Sequence, residues 1–417
     1  MYCVLQIYPV DKVIAQHYSW EEFVEKISVD EYDDGEDMSP LLEELAGLHE
    51  HPFNLNTATK DDLEQLPFLD ADEIEEILAY VYRYGPMQSL GELMLIEELD
   101  YQTRQFLALF VYVENPVEEK EKLRLKTLLK GGRHEVTSRL DMPLYKRDGY
   151  QIPEDEVLLK NPNKVYLGNS LYHNIRYTYQ YRNRLFWGFT AEKDAGEPFG
   201  SYGNMAYDAY SFHFLLKDCG KLKALALGDY RVGFGEGLVV NSDFSLGKST
   251  LFNMGDTRPS IKKFSSTSET SFFRGMAVTF RFGKVDVSAF YSYLPTDATL
   301  RKDGTVSSLK TDGLHRTLLE LSKKHNVMEQ SAGADVTWNT EYFSLGATAF
   351  YQHFSRSFSK GTELYRQYYP EGKDFLNASL HYRWHRDRFS FSGETAFSNV
   401  YGGWATLNKA IYRFNHR

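Results

Sequence analysis

The sequence has few of the features that mark disulfide-stabilised proteins or helical membrane proteins. Its 417 residues contain two cysteines, Cys3 and Cys219, which are too few for a disulfide framework. No run of about 18 apolar residues occurs, and the mean hydropathy is −0.47, which excludes a transmembrane helix. Stability must therefore come from packed secondary structure, and any crossing of a membrane must use strands.

Recognisable chemical sites are also missing. Gly233-Phe234-Gly235-Glu236-Gly237 follows a predicted strand, but no helix follows it, so we predict an inward-folded or flexible segment rather than a dinucleotide loop. His381 and His385 share one face of a predicted strand without a third ligand nearby. No spacing of serine, histidine and aspartate singles out a nucleophile. The sequence therefore predicts no catalytic residue, no cofactor site and no metal site.

Charge divides the chain into two regions. Residues 17–50 hold 12 acidic residues and 1 basic residue, and residues 51–113 hold 12 acidic and 3 basic residues. Residues 1–16 are neutral, so residues 114–417 must carry a net charge of +9 to give the total of −11. An asymmetry of this size predicts two regions in different surroundings.

The acidic region contains two consecutive helix–hairpin–helix patterns. The first opens with Asn54-Leu55-Asn56-Thr57-Ala58, breaks at Pro67 and ends at Tyr84-Gly85-Pro86, and the second starts at Ser89. Apolar residues recur at helical spacing at Leu63, Leu66, Ile74, Ile77, Leu78, Val81, Leu90, Leu93, Leu95, Ile96, Leu99, Phe106, Leu107, Leu109 and Phe110. Residues 54–112 resemble the tandem helix-hairpin-helix domain of the ComEA-like DNA-binding family.

The two hairpins depart from that family's pattern. The resemblance implies Gly-hydrophobic-Gly hairpins, whose bare backbone N–H groups approach DNA phosphates at a helix N-terminus. The matching positions here are Phe68-Leu69-Asp70 and Glu98-Leu99-Asp100, so every glycine is replaced and three replacements are carboxylates. Because phosphate binding depends on cations, this surface should repel DNA. A protein partner is the better prediction for this domain.

From residue 133 the hydrophobic period changes from 3.6 to 2. Val285, Val287, Ala289, Tyr291 and Tyr293 alternate with Asp286, Ser288 and Ser292, and similar segments number about twelve. Their predicted starts lie near residues 133, 171, 185, 207, 221, 272, 284, 331, 342, 375, 388 and 403. Each is about ten residues long, the length of a tilted strand that crosses a bilayer.

Loop lengths favour a membrane barrel over a soluble β-rich domain. Every second connection is tight, at 183–184, 218–220, 283, 340–341 and 386–387, and the connections between them are mostly long and polar. Short turns on one rim and long loops on the other are typical of outer-membrane barrels. Aromatic residues make up 15% of the chain and concentrate in this half, which agrees with that interpretation.

These observations predict an α+β multidomain protein. Residues 1–16 are interpreted as a partial signal peptide, 17–50 as an acidic helical lead-in, 51–113 as an all-α tandem helix-hairpin-helix domain, 114–132 as a linker and 133–417 as an antiparallel transmembrane β-barrel of about twelve strands. The interrupted apolar run at the start, and a last strand that does not finish on an aromatic residue, suggest a trimmed chain whose full barrel contains more strands.

This order of segments resembles a family of gram-negative envelope proteins that carry a helix-hairpin-helix domain. We predict a non-enzymatic outer-membrane barrel in contact with outer-membrane lipid, with a periplasmic module that docks a protein partner in envelope transport or assembly. The first alternative is a component of DNA uptake, favoured by the scaffold and opposed by the hairpin acids. The second is an enzyme embedded in the barrel.

Overall fold

The computed structural model describes residues 19–29, 39–50, 52–58, 60–63, 65–114, 131–145, 147–151, 160–181, 184–204, 206–242, 260–340, 342–361, 364–386 and 389–412. The predicted export signal and most of the predicted linker lie outside these residues. The chain divides into two compact units, Met1–Glu118 with Leu246–Ser249, and Glu119–Ser245 with Thr250–Arg417. No helix in the described ranges is long and apolar enough to cross a membrane.

The N-terminal unit is mainly helical. Its helices are α1 (Trp20–Val29), α2 (Ser39–Glu50), α3 (Lys60–Leu63), α4 (Ala71–Tyr84), a 3₁₀ helix (Leu90–Leu95) and α5 (Tyr101–Leu107). Two short strands, β1 (Phe53–Asn54) and β2 (Val111–Tyr112), pair in parallel, so the prediction of an all-α domain was wrong in this detail. The pairing satisfies backbone groups where the chain enters and leaves the helical bundle, since the Leu55 N–H donates to the Tyr112 carbonyl at 2.9 Å.

Most of the predicted apolar positions form the core of this unit. Leu63, Leu66, Ile74 and Ile77 are all buried, as their helical spacing predicts. Leu78, Val81, Leu90 and Leu109 are partly buried, and Leu95 is the exposed one of the set, with 67% of its surface exposed. Residues 90–95 form a 3₁₀ helix, in which positions three apart share a face, so Leu93 and Ile96 face inward and Leu95 does not.

The second unit is an antiparallel sheet. In the described part of the chain its long strands are β3 (Arg133–Asp141), β4 (Tyr172–Tyr181), β5 (Leu185–Lys193), β6 (Ala209–Cys219), β7 (Leu222–Gly233), β9 (Phe273–Phe282), β10 (Val285–Thr296), β13 (Val327–Asn339), β14 (Phe343–Phe358), β15 (Gly372–Arg386), β16 (Phe389–Ser398) and β17 (Trp404–Tyr412). Each pairs with its predecessor and successor among them, without a crossover. The short strands β8 (Ser260–Lys263), β11 (Ala298–Leu300) and β12 (Val306–Leu309), and the short helix α6 (Leu318–Leu321), lie in the long connections.

The predicted strand starts agree with these bounds to within a few residues. The largest difference is at β13, which was predicted from residue 331 and begins at Val327. Strands β8, β11 and β12 were missed, because three or four residues are too few to show a period. The alternation of tight and long connections is confirmed.

The two faces of the sheet differ in chemistry. One face, called the inner face here, buries polar side chains such as Asp286, Ser288 and Ser292 of β10. The other, the outer face, exposes apolar side chains such as Tyr291 and Tyr293 of the same strand. The strand period of 2 produces this division, because neighbouring side chains point to opposite faces.

The sheet is not closed by pairing of its end strands. Strands β3 and β17 lie at its two edges, and no strand of the described residues pairs with their outer sides. The sequence predicted a β-barrel of about twelve strands, complete or trimmed, and in the described residues these strands form an open sheet. Most residues of β3 are exposed, so this edge lacks the packing that would hold a partner strand in register. Residues after β7 nevertheless contact the inner faces of β15 and β16, which lie several strands away from β7 in the sheet.

Candidate functional site

The segment after β7 folds into the concave side of the sheet. Phe234 and Val240 are buried there and belong to the same apolar cluster as Phe290 of β10 and Phe350 of β14. This segment, residues 233–242, is called the inner segment below. The sequence offered an inward fold or a flexible loop for its glycine-rich start, and the structure supports the inward fold.

One carboxylate holds the inner segment in place. Glu394 of β16, which is completely buried, accepts the backbone N–H groups of Glu236 at 2.8 Å and Leu238 at 3.0 Å. Gly235 has a φ of 61°, and a Cβ atom there would lie 2.8 Å from the Glu394 carboxylate. A larger residue would therefore strain the backbone and collide with the carboxylate. Gly235 therefore allows the backbone to approach the Glu394 carboxylate closely.

Polar contacts continue along the inner face. The Glu236 carboxylate accepts a hydrogen bond from Arg383 at 3.0 Å. His381 lies 2.9 Å from Asp335, which also accepts the hydroxyl of Thr348. His385 shares the strand face with His381, as predicted, but four residues of extended strand separate the two rings by roughly 13 Å. The two histidines therefore do not converge on one ligand.

A second polar cluster lies in the long connections at one end of the sheet. His315 is buried between two aspartates, with Nδ1 at 2.6 Å from Asp208 Oδ2 and Nε2 at 2.5 Å from Asp297 Oδ2. Its backbone N–H donates to Glu197 Oε1 at 2.7 Å. Lys324 donates to Asp208 Oδ1 at 2.8 Å. These five residues, called the rim cluster below, join the connections β5–β6 and β10–β13.

The charges of the rim cluster depend on one another. Burial opposes protonation of His315, but its hydrogen bonds with Asp208 and Asp297 outweigh this and raise its pKa to about 9. Burial would raise the pKa of Asp208, yet hydrogen bonds from His315 and Lys324 lower it to about 2. Burial and the negative charge of Asp208 raise the pKa of Glu197 to about 7. The cluster therefore keeps a cationic imidazole beside an ionised aspartate at neutral pH.

Two cavities open beside the rim cluster. One has a volume of about 370 Å³ and reaches Asp297 and the inner segment, and the other has about 180 Å³ and reaches Asp208 and Lys324. Glu269 lines both cavities. Burial and the charges of Glu197 and Asp208 raise its pKa well above the ordinary value. Small polar molecules or ions in these cavities can therefore contact Asp297 on one side of the cluster and Asp208 and Lys324 on the other.

Glu197, Asp208 and His315 form a set of possible metal ligands. Each contributes one donor atom, these atoms lie within 4.8 Å of one another, and all three side chains are buried. Within the described residues, this is the group of three histidine, cysteine, aspartate or glutamate side chains whose donor atoms lie that close together. The sequence predicted no metal site, because these residues are far apart in the chain and lie in connections without a period.

The predicted hairpin positions of the N-terminal unit cap their own helices. Asp70 accepts the Glu73 backbone N–H at 2.8 Å, and the Glu73 side chain accepts the Asp70 N–H at the same distance, a reciprocal capping box before α4. Asp100 accepts the Thr103 N–H at 2.6 Å before α5. Both helix N-termini thus use carboxylates of this chain as their acceptors.

The other hairpin residues divide between core and surface. Leu69 and Leu99 are buried, and Glu98 is exposed. Phe68 packs against Phe106, with ring centroids 5.6 Å apart. Phe68 therefore contributes to the aromatic packing of the unit.

Comparisons with known proteins give only distant likenesses. No family model and no curated protein matches the chain. A solved porin is 12% identical with a TM-score of 0.29, covering 58% of this chain and 62% of its own. The OmpF porin of Salmonella typhi in complex with daunomycin is 12% identical with a TM-score of 0.26, covering 68% and 85%. A mutant porin of Rh. blastica is 11% identical with a TM-score of 0.20, covering 59% and 82%. The chain spans less than two thirds of the first porin, and TM-scores of this size do not establish a shared fold.

Proposed function

We propose that this chain is an outer-membrane β-barrel protein whose interior is occluded by the inner segment, with a periplasmic helix-hairpin-helix module that docks a protein partner. The observation that carries the proposal is the division between a polar inner face and an apolar outer face over consecutive antiparallel strands. In β14, Leu345 and Tyr351 are exposed on the outer face, and Thr348 and Phe350 are buried on the inner face. Membrane barrels have this division, because lipid contacts one side of each strand.

Aromatic residues on the outer face support a membrane position. Exposed aromatic side chains near the tight turns are Phe282, Trp338, Tyr342, Trp384, Phe389 and Tyr412. A second set near the opposite strand ends is Tyr210, Tyr291, Tyr293, Tyr351, Phe397 and Trp404. Two aromatic girdles that flank an apolar band are typical of outer-membrane barrels. The tight turns would then face the periplasm and the rim cluster would lie outside the cell.

A non-enzymatic role is favoured by the use of the interior. The buried carboxylate of Glu394 accepts two backbone N–H groups of the inner segment, and Asp335 accepts hydroxyl groups of Thr337 and Thr348. Glu394 also accepts the hydroxyl of Ser379, and Asp335 contacts His381. These carboxylates therefore hold the inner segment and join neighbouring strands. An occluded, polar interior fits a channel or an assembly component that opens on a signal.

Electrophoretic migration tests the membrane proposal. The full-length chain, extracted in detergent, should migrate faster before boiling than after it, because folded barrels resist SDS. It should also fractionate with outer membranes after export. A chain that is recovered as soluble protein, with one migration state, would remove the proposal and favour a soluble β-rich protein.

DNA uptake is the second candidate, and one resemblance favours it. The tandem helix-hairpin-helix pattern is a DNA-binding scaffold in the ComEA-like family, but Asp70 and Asp100 occupy the helix N-termini that would receive phosphate. Salt-dependent binding of duplex DNA by residues 17–113 would move this candidate to first place. Turnover of a substrate by the detergent-solubilised chain would instead favour an enzyme.

A further inference from the structure

We propose that the rim cluster binds a divalent transition-metal ion of the Zn²⁺ class, with Glu197, Asp208 and His315 as protein ligands. One imidazole nitrogen and two carboxylate oxygens are the donor types that Zn²⁺ takes in three-ligand sites. The three donor atoms lie within 4.8 Å of one another, so one ion can contact all of them after small shifts. The site is independent of whether the sheet spans a membrane.

Asp297 gives the imidazole the orientation that a metal ligand needs. Its Oδ2 lies 2.5 Å from Nε2 of His315, so this nitrogen carries the proton as a donor to Asp297. The other nitrogen, Nδ1, then faces Asp208 and Glu197, at 2.6 and 3.9 Å. A carboxylate that accepts the second N–H of a ligating histidine is the usual outer support of protein zinc sites. Asp297 is therefore a positioning residue.

The two carboxylate ligands are also held by neighbours. Lys324 donates to Oδ1 of Asp208, which leaves Oδ2 directed at His315. Glu197 Oε2 accepts the backbone N–H of Asp194 at 2.9 Å, while Oε1 accepts that of His315. Each carboxylate oxygen retains a second lone pair for an ion. An ion would replace the proton on Nδ1 of His315, and with it the hydrogen bond to Asp208 Oδ2. The other contacts of the three ligands, with Asp297, Lys324 and the two backbone N–H groups, can remain in place.

The site has a route to solvent and room for a further ligand. Asp208 and Lys324 line the cavity of about 180 Å³, which also contains Glu192 and Glu269. Arg274 and Lys324 also line this cavity, so its walls are mixed in charge, and the attraction for a cation comes from the carboxylate ligands themselves. Water in the cavity can supply a fourth coordination position. A bound ion would tie the β5–β6 connection to the β10–β13 connection. The donor atoms lie within 4.8 Å of one another and are buried, which fits a single ion and not an organic molecule.

Titration of the full-length chain in detergent with Zn²⁺ tests this site. Isothermal titration after chelator treatment should show one equivalent bound, and Co²⁺ should give the visible absorption bands of a four-coordinate N/O site. His315→Gln and Glu197→Gln should abolish both signals. Asp297→Asn should weaken Zn²⁺ binding by about tenfold to a hundredfold, because it removes the outer support of the histidine.

The exposed pair His353 and Asp374 provides a matched control. Nδ1 of His353 lies 2.7 Å from Oδ1 of Asp374, much as Nδ1 of His315 lies 2.6 Å from Oδ2 of Asp208. The pair His353–Asp374 is not buried, however, and does not belong to the ligand group Glu197, Asp208 and His315. His353→Gln should leave Zn²⁺ binding and the Co²⁺ spectrum unchanged. Each variant should keep the gel migration of the parent chain, which shows that the sheet folds.

Three outcomes would overturn the proposal. In the first, neither the parent chain nor His315→Gln binds Zn²⁺. In the second, the parent chain binds Zn²⁺ and the binding persists in His315→Gln or Glu197→Gln. In the third, only His353→Gln removes the binding. In the first case, the rim cluster is a network of hydrogen bonds and ion pairs that joins the β5–β6 and β10–β13 connections without a metal ion. In the others, the ion binds elsewhere on the chain.

Discussion

The carboxylate of Glu394 accepts the backbone N–H of Glu236, a residue 158 positions earlier in the chain. The bond connects the penultimate strand to the connection that follows β7, across the concave side of the sheet. This contact restrains the position of the inner segment together with the burial of Phe234 and Val240 and the hydrogen bond from Arg383 to Glu236.

Removal of that restraint should open the interior. Glu394→Ala leaves the N–H groups of Glu236 and Leu238 without their acceptor, so we expect the inner segment to leave its position. Single-channel recordings in planar bilayers should show a several-fold higher conductance than for the parent chain. Glu371→Ala, which removes an exposed carboxylate paired with Lys360, is the control. Equal conductance of all three proteins would show that the inner segment does not occlude a pore.

Protonation of the rim cluster should control the order of the long connections. Without metal, the stability from Glu197 is full below about pH 4.5 and is lost as the pH rises through about 7. The stability from His315 is full below about pH 6.5 and is lost as the pH rises through about 9. The sign is the same for both residues, because folding raises the pKa of each. Hydrogen exchange of residues 194–204 and 297–325, corrected for intrinsic rates and measured with chelator, should therefore accelerate from pH 5 to pH 9.

Glu197→Gln separates the two contributions to this pH dependence. The variant lacks the titrating carboxyl group, so the acceleration below about pH 6.5 should disappear and the later acceleration should remain. Exchange in β13 and β14 serves as an internal reference. Protection that is constant over the whole range in the parent chain would contradict the coupling between His315 and its aspartates.

The core of the N-terminal unit should respond to leucine truncation according to burial. Leu66→Ala removes a side chain that is 1% exposed, so the free energy of unfolding should fall by about 2–5 kcal/mol. Leu95→Ala makes the same chemical change at a position that is 67% exposed and should have an effect within about 0.5 kcal/mol. Urea denaturation followed by circular dichroism measures both. Equal effects would show that the unit is packed differently.

The hairpins should bind DNA only after redesign. We expect residues 17–113 to bind duplex DNA no better than about 10⁻³ M at physiological salt, weaker than the roughly 10⁻⁴–10⁻⁶ M of non-specific binders. Glycine at positions 68, 70, 98 and 100, with Asp72→Lys and Gln102→Lys, should raise the affinity and make it fall steeply with salt. Fluorescence anisotropy compares the two proteins. Micromolar binding by the unchanged domain would make DNA uptake the leading candidate function.

Local patterns predicted the strands and the helical core, and they did so because those features depend on neighbouring residues. The alternation around Val287 and Ser288 follows from the strand period alone. The buried positions Leu63 and Ile77 follow in the same way from helical spacing. The two-residue pairing of β1 with β2 could not be predicted, since it depends on how the whole helical unit brings its ends together.

The rim cluster was beyond prediction for a different reason. The backbone N–H of His315 meets Glu197 across 118 residues, and both residues lie in irregular connections. No period links residues in such segments, so their proximity depends on the register of several strands between them. The glycine-rich stretch that contains Gly235 was predicted to be an inward-folded or flexible segment, but the partner of Gly235, Glu394, could be identified only from the folded sheet.

The strand order also has a consequence for the time course of folding. Because each long strand pairs with its neighbour in the chain, the sheet can grow by successive hairpins. The inner segment is different, since its acceptor belongs to β16 and must wait for nearly the whole sheet. Docking of residues 233–242 is thus a late kinetic step, and an intermediate with a formed sheet and an undocked segment should precede the native state.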